Sequence, residues 1–186
     1  MLKFHWQQAL PSLVLATTVL MAQTPLLAAQ PNARSANPCP EFLTQQDAPE
    51  PQSDQEWDLT LSPYTYHWHD NPEHRPVFLG ALDHHVAGKR FCGLAAFRNS
   101  FGQPSAYLYI GQRWDGVLGQ PNLFAKLSAG LIYGYKGKYQ NKIPFNDYGV
   151  APVIIPSLGY SFNRHDSAQI MVLGTAGVLF AYGHRF

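Results

Sequence analysis

The chain has 186 residues, with 13 Lys and Arg against 12 Asp and Glu, a formal net charge of +1. So even a balance excludes the basic surface that nucleic acid requires and the acidic excess of a solvating tail. Aromatic residues reach 13% beside 15 Gly and 15 Pro, a mix that disfavours a helical bundle and suits an all-β protein with many turns.

Residues 1–29 read as an export signal peptide. Lys3 gives a positive start, Leu13 to Ala22 an apolar stretch of suitable length, and Leu26-Leu27-Ala28-Ala29 small residues before a cut. A membrane-spanning helix needs roughly 20 continuous apolar residues, and Gln23, Thr24 and Pro25 interrupt this one. Residues 30–56 hold five prolines, several Gln and Asp and few apolar side chains, the composition of a flexible N-terminal tail. Cys39 lies in that tail, and the second cysteine, Cys92, in an expected strand. Either the two pair in an oxidising compartment, or Cys92 is a small buried residue and Cys39 a free thiol.

From Trp57 to Phe186 short β-like stretches alternate with turn signals. The expected strands are Trp57–His69, Val77–Val86, Phe91–Asn99, Ser105–Trp114, Leu123–Tyr135, Val150–Phe162, Ser167–Leu173 and Ala176–Phe186. Between them lie Asn71-Pro72, Gly88-Lys89, Gly102-Gln103-Pro104, Gly119-Gln120-Pro121, Asn163 to Asp166 and Gly174, all turn chemistry. One longer loop, Lys136 to Gly149, separates the fifth and sixth strands.

Alternation shows which face meets what. In the fifth strand Leu123, Ala125, Leu127, Ala129, Leu131, Tyr133 and Tyr135 share a face, against Lys126, Ser128, Gly130, Ile132 and Gly134. In the last, Val178, Phe180, Tyr182, His184 and Phe186 oppose Leu179, Ala181, Gly183 and Arg185. An apolar face ending in aromatics, over a face of small and polar residues, is the pattern of an eight-stranded antiparallel up-and-down transmembrane β-barrel. The alternative is a soluble lipocalin-like barrel. Strands of about 9–11 residues suffice to cross a bilayer when tilted, and a terminal Phe186 suits outer-membrane assembly. The expectation is a monomer embedded in the cell outer membrane.

Proline breaks a ladder, because it has no N–H to donate. Pro63 falls in the first strand, and Pro152 and Pro156 in the sixth. Pro63 and Pro156 are therefore candidates for gaps through which an acyl chain passes sideways between bilayer and lumen; a bulge at a strand end is the plainer reading. In a meander the first and third strands end at one rim, so His67 and Ser100 become candidates for the same mouth. A His that accepts the proton of a Ser hydroxyl makes a nucleophile for acyl transfer.

Three segments then carry a resemblance. Asp58-Leu59 through Thr65-Tyr66-His67, Ala95-Ala96-Phe97-Arg98-Asn99-Ser100 and Val153 to Tyr160 resemble the outer-membrane lipid A palmitoyltransferase (PagP) family. The resemblance implies an eight-stranded barrel that acts as an acyltransferase, moving an acyl chain from phospholipid to lipid A without metal or cofactor. It implies His67 and Ser100 as catalytic residues, with Asn99 standing where the family has Asp. Asn cannot stabilise an imidazolium by charge, although it can hold the ring by hydrogen bonding. Pro156 matches the family's sixth-strand proline, and Pro63 lies one position out of step. The family's N-terminal amphipathic helix has no counterpart in residues 30–56. Gly130 and Gly134 are candidates for leaving chain space in the lumen, or for simply relieving the curvature of the barrel.

The histidines His67, His69, His74, His84 and His85 raise transition-metal binding, but no Cys or carboxylate completes a shell, so no metal is expected. The expected partners are phospholipid and lipopolysaccharide or lipid A, with no nucleic acid. The rival function is a non-catalytic outer-membrane barrel that binds or transports a lipid or glycerophosphate-type amphiphile; a purely structural membrane protein is a third.

Overall fold

The structure is a computed structural model that describes residues 37–44 and 56–186. Residues 1–29, read above as a signal peptide, lie outside the described residues, as does most of the expected tail.

Eight strands close into an antiparallel barrel in sequence order, each paired with its chain neighbours and β1 with β8. They are β1 Trp57–His67, β2 Leu79–Val86, β3 Arg90–Arg98, β4 Pro104–Asp115, β5 Leu123–Tyr133, β6 Val150–Ser161, β7 Asp166–Val172 and β8 Gly177–Arg185. The expected all-β, eight-stranded up-and-down architecture is the one found. No helix among the described residues is long and apolar enough to cross a membrane, and β strands do not need one.

Period-2 alternation sorts the side chains as it does in any pleated strand. Leu82, Leu94, Leu108 and Leu131 pair across β2 to β5 and form an exposed apolar belt outside. At the rim where β1 ends stand the exposed aromatics Tyr64, Tyr66, Trp68, Phe78 and Tyr133. At the opposite rim stand Trp114, Tyr160, Phe162, Tyr182 and Phe186. An apolar band between two aromatic girdles is the outside of a barrel solvated by lipid.

The inward row reads Asp83, Gly93, Tyr109, Gly130 across β2 to β5. Small residues there are not spare room. A Cβ at Gly130 would stand 2.0 Å from the Leu108 carbonyl oxygen and 2.7 Å from Tyr109 Cα; one at Gly134 would stand 2.2 Å from Ser105 Oγ. The expectation that these glycines leave space for a chain is therefore corrected: strand crowding and neighbouring residues fill it. Phe91 and Phe124, each 1% exposed, pack the far half of the lumen, and the Arg113 guanidinium lies 3.7 Å above the Phe124 ring centre.

The tail segment holds one turn of α-helix, α1 (Glu41–Thr44), where the sequence shows no helical face. A disulfide joins Cys39 to Cys92, with Cα atoms 5.5 Å apart, which resolves the open choice above in favour of pairing. Cys39 and Leu43 pack with Val86, Cys92 and Ile110, on the outer wall of β2 to β4 near the rim far from His67. The bridge, with a handful of apolar contacts, holds this segment where its composition alone gives no reason to order.

Candidate functional site

Two breaks in the barrel wall face the same rim. The β1–β2 ladder ends at Ser62↔Leu79, so Tyr64 to His67 pair only with β8, and the register there jumps between Leu61 and Tyr64, passing over Pro63. The β6–β7 ladder runs only from Ser157↔Met171 to Ser161↔Ser167, so Val150 to Pro156 pair with β5 alone. Pro63 and Pro156 each sit beside the last paired residue, where a missing N–H removes the next rung. Both side chains are exposed.

Between the notches the lumen holds a cavity of about 670 Å³. Its walls include Val77, Leu79, Ala95, Phe97, Ile132 and Leu179, and His67 and Ser100 stand at its mouth. His67 closes β1 and Ser100 follows the end of β3. The His67 Nε2 lies 2.6 Å from Ser100 Oγ; with the proton on Nδ1 the hydroxyl donates to the ring, the orientation a general base requires.

Asn99 does something other than hold the ring. It is 1% exposed, and its Oδ1 accepts from the backbone N–H groups of Phe101 and Gln103, each at 3.0 Å. Its backbone carbonyl accepts from Gly102 N at 2.8 Å, where φ is +77°, a left-handed conformation that glycine adopts freely. Asn99 thus braces the turn that carries Ser100, and the structure shows no hydrogen bond between it and His67. The reason is position: an Asx residue opening a tight turn bonds the N–H groups two and four residues on before it can reach another strand.

What flanks His67 is His74, whose ring packs against it at a tilt, with centroids 4.1 Å apart and an interplanar angle of 33°. His74 meets Phe101 at 5.4 Å, and Phe101 stacks on Tyr139 at 4.2 Å. Arg75 N donates to the Ser100 carbonyl at 2.7 Å. One run of ring contacts therefore ties the end of β1, the β1–β2 loop, the β3–β4 turn and the β5–β6 loop around the nucleophile candidate. None of these loop residues has a periodicity, so sequence pattern alone could not group them. Glu73 binds the Lys138 ammonium and the Tyr139 hydroxyl, and that bond to Lys138 holds its carboxyl below the ordinary carboxylate range while the Lys138 ammonium is raised. Burial pushes the Tyr135 phenol, at the cavity edge, up to about 12.

A charged cluster floors the cavity. Lys126 Nζ lies 3.4 Å from Asp58 Oδ2 and 3.0 Å from Asp83 Oδ2. The Tyr109 hydroxyl donates to Asp83 Oδ1 at 2.5 Å, and His85 Nε2 is 3.8 Å from Asp58 Oδ2. Asp58, Asp83 and His85 have the mutual spacing of metal ligands, and Lys126 already supplies a cation between the two carboxylates. The sequence reading placed Lys126 on the inner face but missed this set; the signal was three charges at inward positions of different strands. Of the other histidines, His84 lies against Trp57, ring centroids 4.5 Å apart, away from the His67 and His74 pair.

No protein-family model matches the chain, and no curated protein does. Among solved structures, the chain is similar to a barrel described as a de novo design of transmembrane β-barrels, at a TM-score of 0.55 and 12% identity, covering 73% of this chain and 98% of that one. At that identity the likeness concerns the fold, and it places the chain among eight-stranded antiparallel barrels of the transmembrane type.

Proposed function

We propose that the chain is an outer-membrane acyltransferase like the lipid A palmitoyltransferase (PagP) family, taking an acyl chain from a phospholipid and giving it to a hydroxyl of lipid A or a similar acceptor. The observation that carries this is the 2.6 Å pair of Ser100 Oγ and His67 Nε2 at the mouth of an apolar cavity. The two notches, one beside Pro63 and one beside Pro156, support lateral admission of lipid from the bilayer.

In the reaction, His67 Nε2 takes the hydroxyl proton as Ser100 Oγ attacks the ester carbonyl. The ester C–O bond breaks, the lysophospholipid leaves with the proton from His67, and the acyl group stays on Ser100. An acceptor hydroxyl then gives its proton to His67 and attacks the acyl-serine, and the proton returns to Ser100. Asn99 keeps the Ser100 turn in place, and His74 holds the plane of the His67 ring. The acyl chain lies in the cavity above Lys126 and Asp83.

The test supplies the refolded mature barrel in detergent with labelled phosphatidylcholine and lipid A, and compares wild type with Ser100→Ala by mass spectrometry. Acylated lipid A from wild type alone agrees with the proposal. No product from a wild-type barrel shown to be folded overturns it. A second reading, a barrel that binds or passes a lipid or glycerophosphate-type amphiphile without chemistry, is favoured by one observation: among the described residues no carboxylate bonds His67.

A further inference from the structure

The β5–β6 loop brings three lysines to the mouth, and two of them are engaged. Lys138 is paired with Glu73, and Lys136 bonds the Tyr133 hydroxyl and lies 4.2 Å from that ring's centre. The third, Lys142, lines the cavity. Its ammonium is 5.7 Å from the ring centre of Phe101, the residue after Ser100. Among the described residues it has no carboxylate within ion-pair distance; Glu73, whose carboxyl its charge reaches, is held by Lys138 and Tyr139. The other acid at the mouth is Asp70. Arg75, which packs over Gly102 beside Ser100, is a second cation without an ion pair among the described residues.

The same loop exposes Phe145 and Tyr148, at 80% and 95%. Phe145 has φ of +62°, a left-handed conformation that a bulky residue enters at a cost. Aromatic side chains and free cations together are what a protein presents to lipid headgroups.

We infer that Lys142, with Arg75, reads the phosphate of an anionic glycerophospholipid while Ser100 faces that lipid's ester. This rests on the acyl-transfer reading above and names its donor class. The chemistry fits because a glycerophospholipid carries its ester and its phosphate close together, and Ser100, Phe101 and Lys142 line one cavity with the ammonium against the Phe101 ring. A neutral glyceride offers the ester without the anion.

The experiment measures binding, so it needs no turnover. The refolded full barrel in neutral detergent is titrated calorimetrically with lysophosphatidylglycerol and with a monoacylglycerol of the same chain. Wild type prefers the phosphate-bearing lipid by about fivefold at low salt, the size of a partly exposed ion pair, and the preference shrinks as salt rises. Lys142→Glu abolishes the preference, with heat-modifiable gel migration confirming the fold and Lys142→Gln replacing it if it does not fold. Equal binding of the two lipids by wild type, an unchanged preference in the variant, or no binding of either lipid overturns the inference. Displacement of the lysolipid by inorganic phosphate overturns the lipid assignment in favour of a free-anion site. Failure of acyl transfer in the separate assay would overturn the enzyme reading while this binding result stands by itself.

Discussion

Lys126→Met is the perturbation whose size the structure fixes best. Asp58, Asp83 and Lys126 are 4%, 4% and 6% exposed, and one ammonium serves both carboxylates at 3.4 and 3.0 Å. Removing it leaves two buried carboxylates with Tyr109 and His85 as remaining partners. Breaking a buried ion pair by deleting one partner costs about 3–5 kcal/mol, because the other charge stays out of water without compensation. Met fills most of the volume, so little of the loss comes from a cavity. Chemical unfolding of the refolded barrel, followed by tryptophan fluorescence, should show a loss in that range. Adding Asp58→Asn and Asp83→Asn to Lys126→Met should recover most of it, since replacing every member of a buried ionic set is often neutral. A single variant within about 1 kcal/mol of wild type, the size of an exposed ion pair, would show that water reaches the floor and that the cluster does not close the cavity.

Three further outcomes follow from the mouth. His74→Ala should lower turnover about 2- to 10-fold by losing the ring contact with His67, and His74→Phe should restore it, while equal rates for both would remove His74 from the site. Asn99→Ala strands the Phe101 and Gln103 N–H groups and should cost about 1–3 kcal/mol of stability, whereas Asn99→Asp keeps both bonds; unfolding midpoints distinguish them. Glu73 has a depressed carboxyl, so its contribution to loop order is present above its ordinary value of 4.5 and is lost as pH falls through the lower folded value. Limited proteolysis of the β5–β6 loop should accelerate in that acid window in wild type and show no such step in Glu73→Gln.

The strands were legible because alternation is a local property. Leu127 and Leu131 outside with Lys126 and Ser128 inside can be read from one strand, and the barrel follows once the ladder is forced to close. Pro63 and Pro156 were legible as ladder breaks, since the missing N–H is written in the residue. The meander likewise brings the ends of β1 and β3 to one rim. What stayed hidden depends on contacts between elements. The Asp58–Lys126–Asp83 cluster needs the register of three strands, and His74, Phe101, Tyr139 and Lys142 meet only because loops fold over the mouth. The role of Asn99 was hidden for the opposite reason: its nearest partners are its own turn, while a resemblance directed attention to the ring. The Cys39–Cys92 bridge needs the tail to lie along the outer wall, which nothing in its composition requires.

The most direct measurement is a double-mutant cycle on the acyl-transfer rate with Ser100→Ala, His67→Ala and the pair together, each shown to be folded. Groups that act as one unit lose nearly the whole rate with either change, and the second change adds little. Each single variant should lose about 10²-fold or more, and the double variant should be no slower than the worse single one. A single variant that retains the wild-type rate, or losses that multiply in the double variant, would show that the two do not act as one unit.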